Sequence, residues 1–164
     1  MRRIAVAIVT LSLLLSCVSI DCPVSNTVHM VYSLQKADGT TDTMGVDTLT
    51  VWSPRADGTD TTLINRLCGT KAVSFAIPVS HTQPEDVVCL KTQDTIGTVW
   101  MDTVWVKKLN TPHFESVDCQ AVYFHEIEAV RSTHRIVDTV IIQKTEVNND
   151  ATTPHILLRL KARR

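Results

Sequence analysis

Glycine, tyrosine and net charge are all scarce in this sequence. The 164 residues include five glycines and two tyrosines, aromatic residues make up 5% of the chain, and the formal net charge is −1. A nucleic-acid-binding domain normally carries a basic face and a high isoelectric point, so the charge balance argues against that class. Hydrophobic residues make up 44% of the chain, which excludes intrinsic disorder because disordered segments combine low hydrophobicity with high charge.

Common catalytic and metal-binding motifs are missing as well. There is no Gly-x-Ser-x-Gly elbow, no Cys-x-x-Cys pair and no alternating acidic loop of the EF-hand type. His125-Glu126 begins like the zincin motif, but position 129 is alanine, and the segment has the pattern of a strand rather than a helix. We therefore predict a protein that is not an enzyme and that needs no cofactor.

The longest nearly unbroken apolar run, residues 4–15, is too short to cross a membrane. A helix needs about 20 residues to span the hydrocarbon core, whereas about a dozen residues behind a positively charged start are typical of a signal peptide. Leu14-Leu15-Ser16-Cys17 resembles the lipobox of bacterial lipoproteins, in which the cysteine becomes the lipidated N-terminus. We predict a signal peptide over residues 1–16 and lipidation of Cys17. The alternative is cleavage at a small residue such as Ser19, which would discard Cys17.

A lipid on Cys17 predicts the location of the protein. Residues 17–26 would form a lipidated tether and residues 27–164 a single folded domain. Several acyl chains, palmitate among them, anchor a protein stably, whereas one chain binds only marginally. Residues 18–21 contain neither an aspartate directly after the cysteine, as in the inner-membrane retention signal of enteric bacteria, nor the acidic run of surface-exported lipoproteins. We expect the periplasmic face of the outer membrane.

The remaining cysteines are even in number, which is typical of disulfides in an oxidising compartment. Four cysteines allow three connectivities. We favour Cys22–Cys119, which closes a loop of about 98 residues and ties the start of the domain to a later loop. The second predicted pair is Cys68–Cys89, with a buried free thiol as the alternative for Cys89.

The chain after the signal peptide has the pattern of a β protein. Threonine and valine supply 22 and 21 residues, and branching at Cβ favours a pleated strand over a helix. Turn signals such as Asp38-Gly39 and Asp57-Gly58 separate about nine short runs, and no window of 11 or more residues has a convincing helical period. The stretch 120–130 is ambiguous, with a helical turn as the alternative to a strand. The predicted strands are 27–34, 46–52, 61–67, 72–77, 86–91, 95–108, 121–131, 136–143 and 155–160. We predict an all-β domain, an antiparallel β-sandwich of immunoglobulin-like or related architecture.

The dipeptide Asp-Thr, followed by alternating apolar residues, recurs at Asp47, Asp102 and Asp138. The spacings of 55 and 36 are irregular, so the recurrence is not a solenoid period. We interpret each aspartate as a residue that accepts local backbone hydrogen bonds where a strand starts. A metal-binding role of these carboxylates is the minority alternative.

Two groups of residues are candidate sites. Trp100 and Trp105 have opposite parity in one predicted strand, so one of them faces solvent unless a bulge intervenes near Asp102, and the pair is a possible binding surface. His113, His125 and His134 are weak candidates for a metal site because three histidines can converge in a fold. The favoured alternative is that these histidines lie at the surface or in loops and are satisfied by backbone groups.

Several segments resemble one known family. They are the lipobox followed by Asp21-Cys22-Pro23, the runs 94–97 and 102–106, residues 112–116 with Asp118-Cys119, and residues 147–148 with Asp150-Ala151. Together they are similar to an uncharacterised family of Bacteroidota lipoproteins, a domain of unknown function. Cys68 and Cys89 are not general features of that family. The resemblance implies an outer-membrane lipoprotein, and it implies no reaction.

The predicted function follows from the predicted location of the protein and from its predicted β-sandwich fold. We expect a lipid-anchored periplasmic protein with a non-enzymatic role in interaction or assembly within the envelope. Its expected partners are the membrane, through the N-terminal lipid, and an envelope protein or glycan. The alternative is a glycan- or peptidoglycan-binding module that uses an exposed tryptophan.

Overall fold

All regular secondary structure is β-strand in the part of the chain that the computed structural model describes, which is residue 22 and residues 27–55 and 57–161. The ten strands are β1 (His29–Gln35), β2 (Gly45–Pro54), β3 (Asp60–Gly69), β4 (Ser74–Pro78), β5 (Glu85–Gln93), β6 (Val99–His113), β7 (Val122–Ser132), β8 (Val137–Ile142), β9 (Glu146–Val147) and β10 (Ile156–Leu160). The predicted all-β class is confirmed. The predicted signal peptide, Cys17 and most of the predicted tether lie outside the described residues.

The strands form two sheets, and one of the two curls into a half-barrel. The smaller sheet has the order β4-β1-β10-β8 and the larger sheet has the order β3-β2-β5-β6-β7-β9. Alternation along each strand supplies the core: in β6, Val104 and Val106 are fully buried, while Trp105 between them faces outward. Tyr32 of β1 in the smaller sheet and Val104 of β6 in the larger sheet belong to the same core cluster, so both sheets contribute to one interior.

The two central strands of the smaller sheet run parallel, so the prediction of a purely antiparallel architecture was wrong for this pair. Tyr32 of β1 lies beside Ile156 of β10, and the register continues in parallel. His155 links the two strands through two hydrogen bonds. Its ring Nδ1 accepts the backbone N–H of Val31 at 3.0 Å, and its backbone N–H donates to the Val31 carbonyl at 2.8 Å. Parallel neighbours need a long connection, and here the whole of the intervening chain provides it.

The Asp-Gly turns form where the sequence predicts them. Between β2 and β3, the Asp57 carboxylate accepts the N–H of Thr59 at 2.9 Å and its hydroxyl at 2.7 Å. Gly58 has a φ of 79°, a left-handed conformation that glycine adopts without a steric penalty. Asp38 makes the same two bonds to Thr40.

The predicted hairpin around residues 93–94 joins β5 to β6, and the two strands are antiparallel along their length. β6 begins at Val99 and not at residue 95, because the Asp94 carboxylate accepts the N–H groups of Ile96 and Thr98 and holds these residues in the turn. The ambiguous stretch 120–130 is a strand, and the two-residue β9 beside it was not predicted.

Cys22 and Cys119 form a disulfide, with their Cα atoms 5.5 Å apart, as predicted. The predicted Cys68–Cys89 pair was wrong, since both thiols are free. Cys68 is on β3 and Cys89 is on β5, and both strands pair with β2 from opposite sides. Two strand spacings alone place them about 9.5 Å apart across the sheet, and Cys68 lies opposite Thr48 whereas Cys89 lies opposite Trp52, four residues farther along β2. Their separation therefore exceeds the limit of about 7 Å between bridged Cα atoms.

Candidate functional site

Asp102 is a buried carboxylate near the start of β6 that accepts six hydrogen bonds. Its Oδ1 accepts from the N–H of Thr103 and from both the N–H and the hydroxyl of Thr133. Its Oδ2 accepts from three successive N–H groups at 2.8–2.9 Å, those of Arg135, Ile136 and Val137. The residue before them, His134, has a φ of 55°, and this left-handed turn lets the following amides point at one oxygen.

These bonds keep the Asp102 carboxyl ionised, and they occupy both of its oxygens. Burial raises the pKa of its carboxyl, but the bonds from Thr133 and from the backbone amides outweigh burial, and the pKa is below its ordinary value. The carboxylate has about four lone-pair positions, and the six donors surround both oxygens, so a metal ion finds no open side. Only the bond from Thr103 is local, so the interpretation of Asp102 as a residue with local bonds captured one of its six contacts.

A second polar network surrounds Lys108, whose side chain is completely buried farther along β6. Its ammonium group donates to the Gln83 carbonyl at 2.7 Å and to the Asp86 carboxylate at 3.0 Å. Burial raises the pKa of Asp86 despite the nearby positive charge. The sequence carried a signal for this network, because adjacent lysines at 107 and 108 in a strand must point to opposite faces.

Asn110 and His125 extend this network. The Asn110 amide donates to the carbonyls of His81 and Gln83, so its oxygen is the acceptor and His125 Nδ1 is the donor of the 2.7 Å bond between them. Burial, with the charge of Lys108 and the proximity of His81, lowers the pKa of His125 to about 4. His125 is therefore neutral near pH 7, and the network holds the β4–β5 loop against the sheet.

The three histidines proposed as weak metal ligands are not brought together. His113 is exposed at the end of β6, where it stacks on Phe124 at 4.4 Å. His134 lies in the β7–β8 connection, with its ring Nδ1 2.9 Å from the Asp138 carbonyl. The seven residue steps of β7 between His125 and Ser132 span about 23 Å. Among the described residues, no group of three or more histidine, cysteine or acidic side chains is arranged to hold a metal ion.

A cleft of about 530 Å³ opens between the β2–β3 side of the larger sheet and β4 of the smaller sheet. Met30, Tyr32 and Val88 form its floor, and each is at most 2% exposed, so the cleft ends on the closed core. Its rim carries the oppositely charged Arg55 and Glu85. This arrangement favours no particular ligand.

The tip of the β5–β6 hairpin is an exposed apolar surface, here called the hairpin patch (Ile96, Val99, Trp100 and Met101). These side chains are 87%, 42%, 45% and 51% exposed. Val99 and Met101 point to one face of β6 and Trp100 to the other, so the tip is apolar on both faces. β7 pairs with β6 only from Val104 onward, so within the described chain residues 99–102 have no strand on that edge.

The two tryptophans proposed as a possible binding surface lie on opposite faces of β6, as their opposite parity predicts. Trp105 lies on the face of β6 opposite to Trp100, where the Arg131 guanidinium covers its ring at 4.1 Å. Arg131 is in turn paired with Glu85 at 3.1 Å. A ligand at Trp100 would therefore not contact Trp105, and the more open ring is that of Trp100.

The loop that carries the disulfide, residues 114–121, connects β6 to β7 at the other end of β6. We call it the disulfide loop. Cys119 is buried beside Cys22, whereas Phe114 is 62% exposed and Val117 is 97% exposed. β6 thus carries apolar side chains at both of its ends, one set in the hairpin patch and one in the disulfide loop. Within the described residues there is no helix of the length and apolar character needed to cross a membrane.

The fold and its contacts define an all-β protein of two sheets, in which buried polar groups form hydrogen bonds that hold loops and strands together. The chain belongs to a family of unknown function, DUF6452, whose profile matches residues 48–159. The match runs from β2 into β10 and includes Asp102, the hairpin patch and Cys119, but it does not include β1 or Cys22. No curated protein and no solved structure matches the chain. The predicted membership of a domain family of unknown function is confirmed, whereas the lipoprotein character stays a prediction.

Proposed function

We propose that this protein is a lipid-anchored component of the bacterial envelope, on the periplasmic face of the outer membrane, that binds another envelope protein and catalyses no reaction. The lipobox-like residues 14–17 support the anchor, and the even set of cysteines supports an oxidising compartment. The two sheets with a common core support a β-sandwich, and we propose that it is related to immunoglobulin-like domains.

The hairpin patch is the observation that carries the binding role. Apolar side chains on both faces of a strand end with an unpaired edge form a surface that an extended segment of another protein can extend and cover. The steps of β6 from Trp100 to His113 have a contour length of about 43 Å. A tether at the disulfide end would therefore leave the patch free to meet a partner.

Photo-crosslinking in cells tests this role. A photoreactive amino acid replaces Val99 in the patch and, as the control, the exposed Thr62 on the opposite edge strand β3. We expect a discrete crosslinked protein from position 99 only. Products of equal size and yield from both positions, or none from position 99, would contradict the patch as the contact surface.

The anchor is tested separately by Cys17→Ala. We expect the variant to move from the membrane fraction to the soluble periplasmic fraction, because it lacks the acylated thiol. If the variant remains in the membrane fraction, the proposal of a lipid anchor at Cys17 is wrong.

Glycan binding through Trp100 is the second candidate, favoured by the 45% exposure of its ring at the hairpin tip. Titration of the protein with peptidoglycan fragments would then quench or shift tryptophan fluorescence. Trp100→Phe should abolish the change and Trp105→Phe should leave it. An unchanged spectrum over the panel would exclude this candidate.

A further inference from the structure

We propose that the disulfide loop contacts the bilayer directly, with Phe114 and Val117 inserted among the lipid headgroups of the leaflet that holds the anchor. This inference rests on the proposed lipidation of Cys17. It adds a second, non-covalent attachment point, one made by the folded domain itself.

The length of chain between anchor and disulfide limits how far the loop can be from the membrane. Cys17 precedes Cys22 by five residues, which reach at most about 18 Å when fully extended. The Cα atoms of Cys22 and Cys119 are 5.5 Å apart, and Val117 is two residues before Cys119. The covalent path from the lipid therefore reaches the disulfide loop through the Cys22–Cys119 bond, whereas along the main chain it reaches the described residues again only at Thr27, five residues after Cys22.

The exposed side chains of this loop suit an interface between water and lipid. Phe114 is 62% exposed and Val117 is 97% exposed, although both are apolar. Aromatic and aliphatic side chains gain free energy when they leave water for the headgroup boundary. The tether keeps the effective concentration of lipid near the loop high, so even a weak apolar contact becomes populated.

The charges in and around the disulfide loop indicate that its contact with the bilayer is apolar rather than electrostatic. The loop carries Glu115 and Asp118, and residues 109–122 contain no lysine or arginine. His113 lies 3.5 Å from Glu115, so the basic group at the end of β6 faces an acidic one. Anionic lipid therefore offers no attraction, and insertion should not depend on anionic lipid or on salt.

The hairpin patch provides a matched internal control, because it is as apolar as the disulfide loop but lies at the opposite end of β6. Ile96 is 87% exposed, which is comparable to Val117. If apolar exposure alone drew the protein onto lipid, both ends would contact the bilayer. The position of the disulfide predicts contact at one end only.

Quenching by brominated lipid tests the proposal with the lipidated protein in phosphatidylcholine vesicles whose acyl chains carry bromine. Phe114→Trp and Val117→Trp report on the loop, and Ile96→Trp is the control; the emission of the native tryptophans is subtracted in each case. We expect at least twofold more quenching of the added tryptophan at position 114 or 117 than at position 96. The signal should not change when salt is raised or when phosphatidylglycerol is added.

Two results would overturn the proposal. Equal or absent quenching at all three positions, in protein that sediments with the vesicles, shows that the anchor holds but the loop does not insert. Protein that fails to sediment shows that the anchor itself is wrong, and this overturns both proposals. Because Phe114 and Val117 are both exposed, one of the two reporters remains informative if the other misfolds.

Discussion

Asp102 and Val137 are 35 positions apart in the chain, and the Asp102 carboxylate accepts the N–H of Val137 at 2.9 Å. Asp102 belongs to β6 of the larger sheet, and Val137 begins β8 of the smaller sheet. The bond therefore fastens one sheet to the other at the point where the chain crosses between them.

Asp102→Asn should lower the free energy of unfolding by about 2–4 kcal/mol. The amide replaces an acceptor oxygen by an NH2 group that faces backbone donors, and hydrogen bonds to a charged group are each worth about 1.5–3 kcal/mol. Urea unfolding followed by tryptophan fluorescence measures the change. Asp138→Asn, at an exposed aspartate of the same Asp-Thr repeat, should change stability by less than about 0.5 kcal/mol. Equal effects of the two variants would show that the buried bonds do not stabilise the fold.

His125 should make the protein less stable as the pH falls from about 6.5 towards 4. Its pKa is about 4 in the folded state and 6.5 ordinarily, so the unfolded chain binds the proton first and gains from acidification. The contribution of this histidine is full above pH 6.5 and is lost through that window, by on the order of 2 kcal/mol. Burial also lowers the pKa of His155, which adds to the same trend.

Unfolding free energies at pH 7 and pH 4.5 test this dependence. His125→Gln should reduce the difference between the two pH values, because glutamine does not titrate. His113→Gln, at an exposed histidine, should leave the difference as in the native protein. If the stability of His125→Gln depends on pH as much as that of the native protein, groups other than His125 cause the pH dependence.

Lys108→Met should destabilise the protein by about 3 kcal/mol, whereas Lys107→Met should have little effect. Removal of the buried ammonium leaves the Asp86 carboxylate and the Gln83 carbonyl without its hydrogen bonds. Lys107 pairs with Glu128 at the surface, where solvent and salt screen the attraction between the two charges. Hydrogen exchange should rise in residues 79–84 of Lys108→Met alone. If hydrogen exchange in residues 79–84 is unchanged, Lys108 does not hold the β4–β5 loop in place.

The Cys22→Ser/Cys119→Ser variant should lose about 2–4 kcal/mol, because the disulfide closes a long loop and restricts the unfolded chain. Denaturant unfolding of the double variant measures the loss. Cys68→Ser is the control, and it should unfold like the native protein because Cys68 is exposed and unpaired. A double variant as stable as the native protein would mean that the bond is dispensable.

Thiol labelling of the unreduced protein should find Cys68 and Cys89 free and reacting at different rates. Cys68 is exposed and should react first. Cys89 is half-buried, and burial raises the pKa of its thiol, so less of the reactive thiolate is present. Mass mapping that places Cys68 and Cys89 in one bridged peptide would contradict the arrangement of β3, β2 and β5.

The sequence predicts much of the fold because its local signals agree with each other. Alternation in the strands and the Asp-Gly turns have causes that act within a few residues. The even number of cysteines indicates disulfides, although it leaves three connectivities open. The pairing of β1 with β10 has no local signal, since the choice of neighbour depends on packing between segments more than 120 positions apart. The Cys68–Cys89 pair failed for the same reason, because strand order was unknown.

The candidate sites were less predictable than the strands. Parity correctly separated the faces of Trp100 and Trp105, but it could not show that Arg131 covers one of them. The sequence singled out Asp102 through the Asp-Thr recurrence and His125 as a weak metal candidate. The partner of His125 is Asn110 on the neighbouring strand β6, and most partners of Asp102 lie between β7 and β8, so only the assembled fold brings these groups together.

The parallel pair at the centre of the smaller sheet sets an order of events during synthesis. β1 can meet β4 early, but its other neighbour, β10, is made more than 100 residues later, and β8 has no partner in this sheet until then. Contacts between such distant segments form slowly. A partly synthesised copy therefore exposes two strand edges that can join other chains. The smaller sheet is complete only after residues 156–160 have been synthesised. Until β10 pairs with β1 and β8, the incomplete chain must be protected from association with other chains.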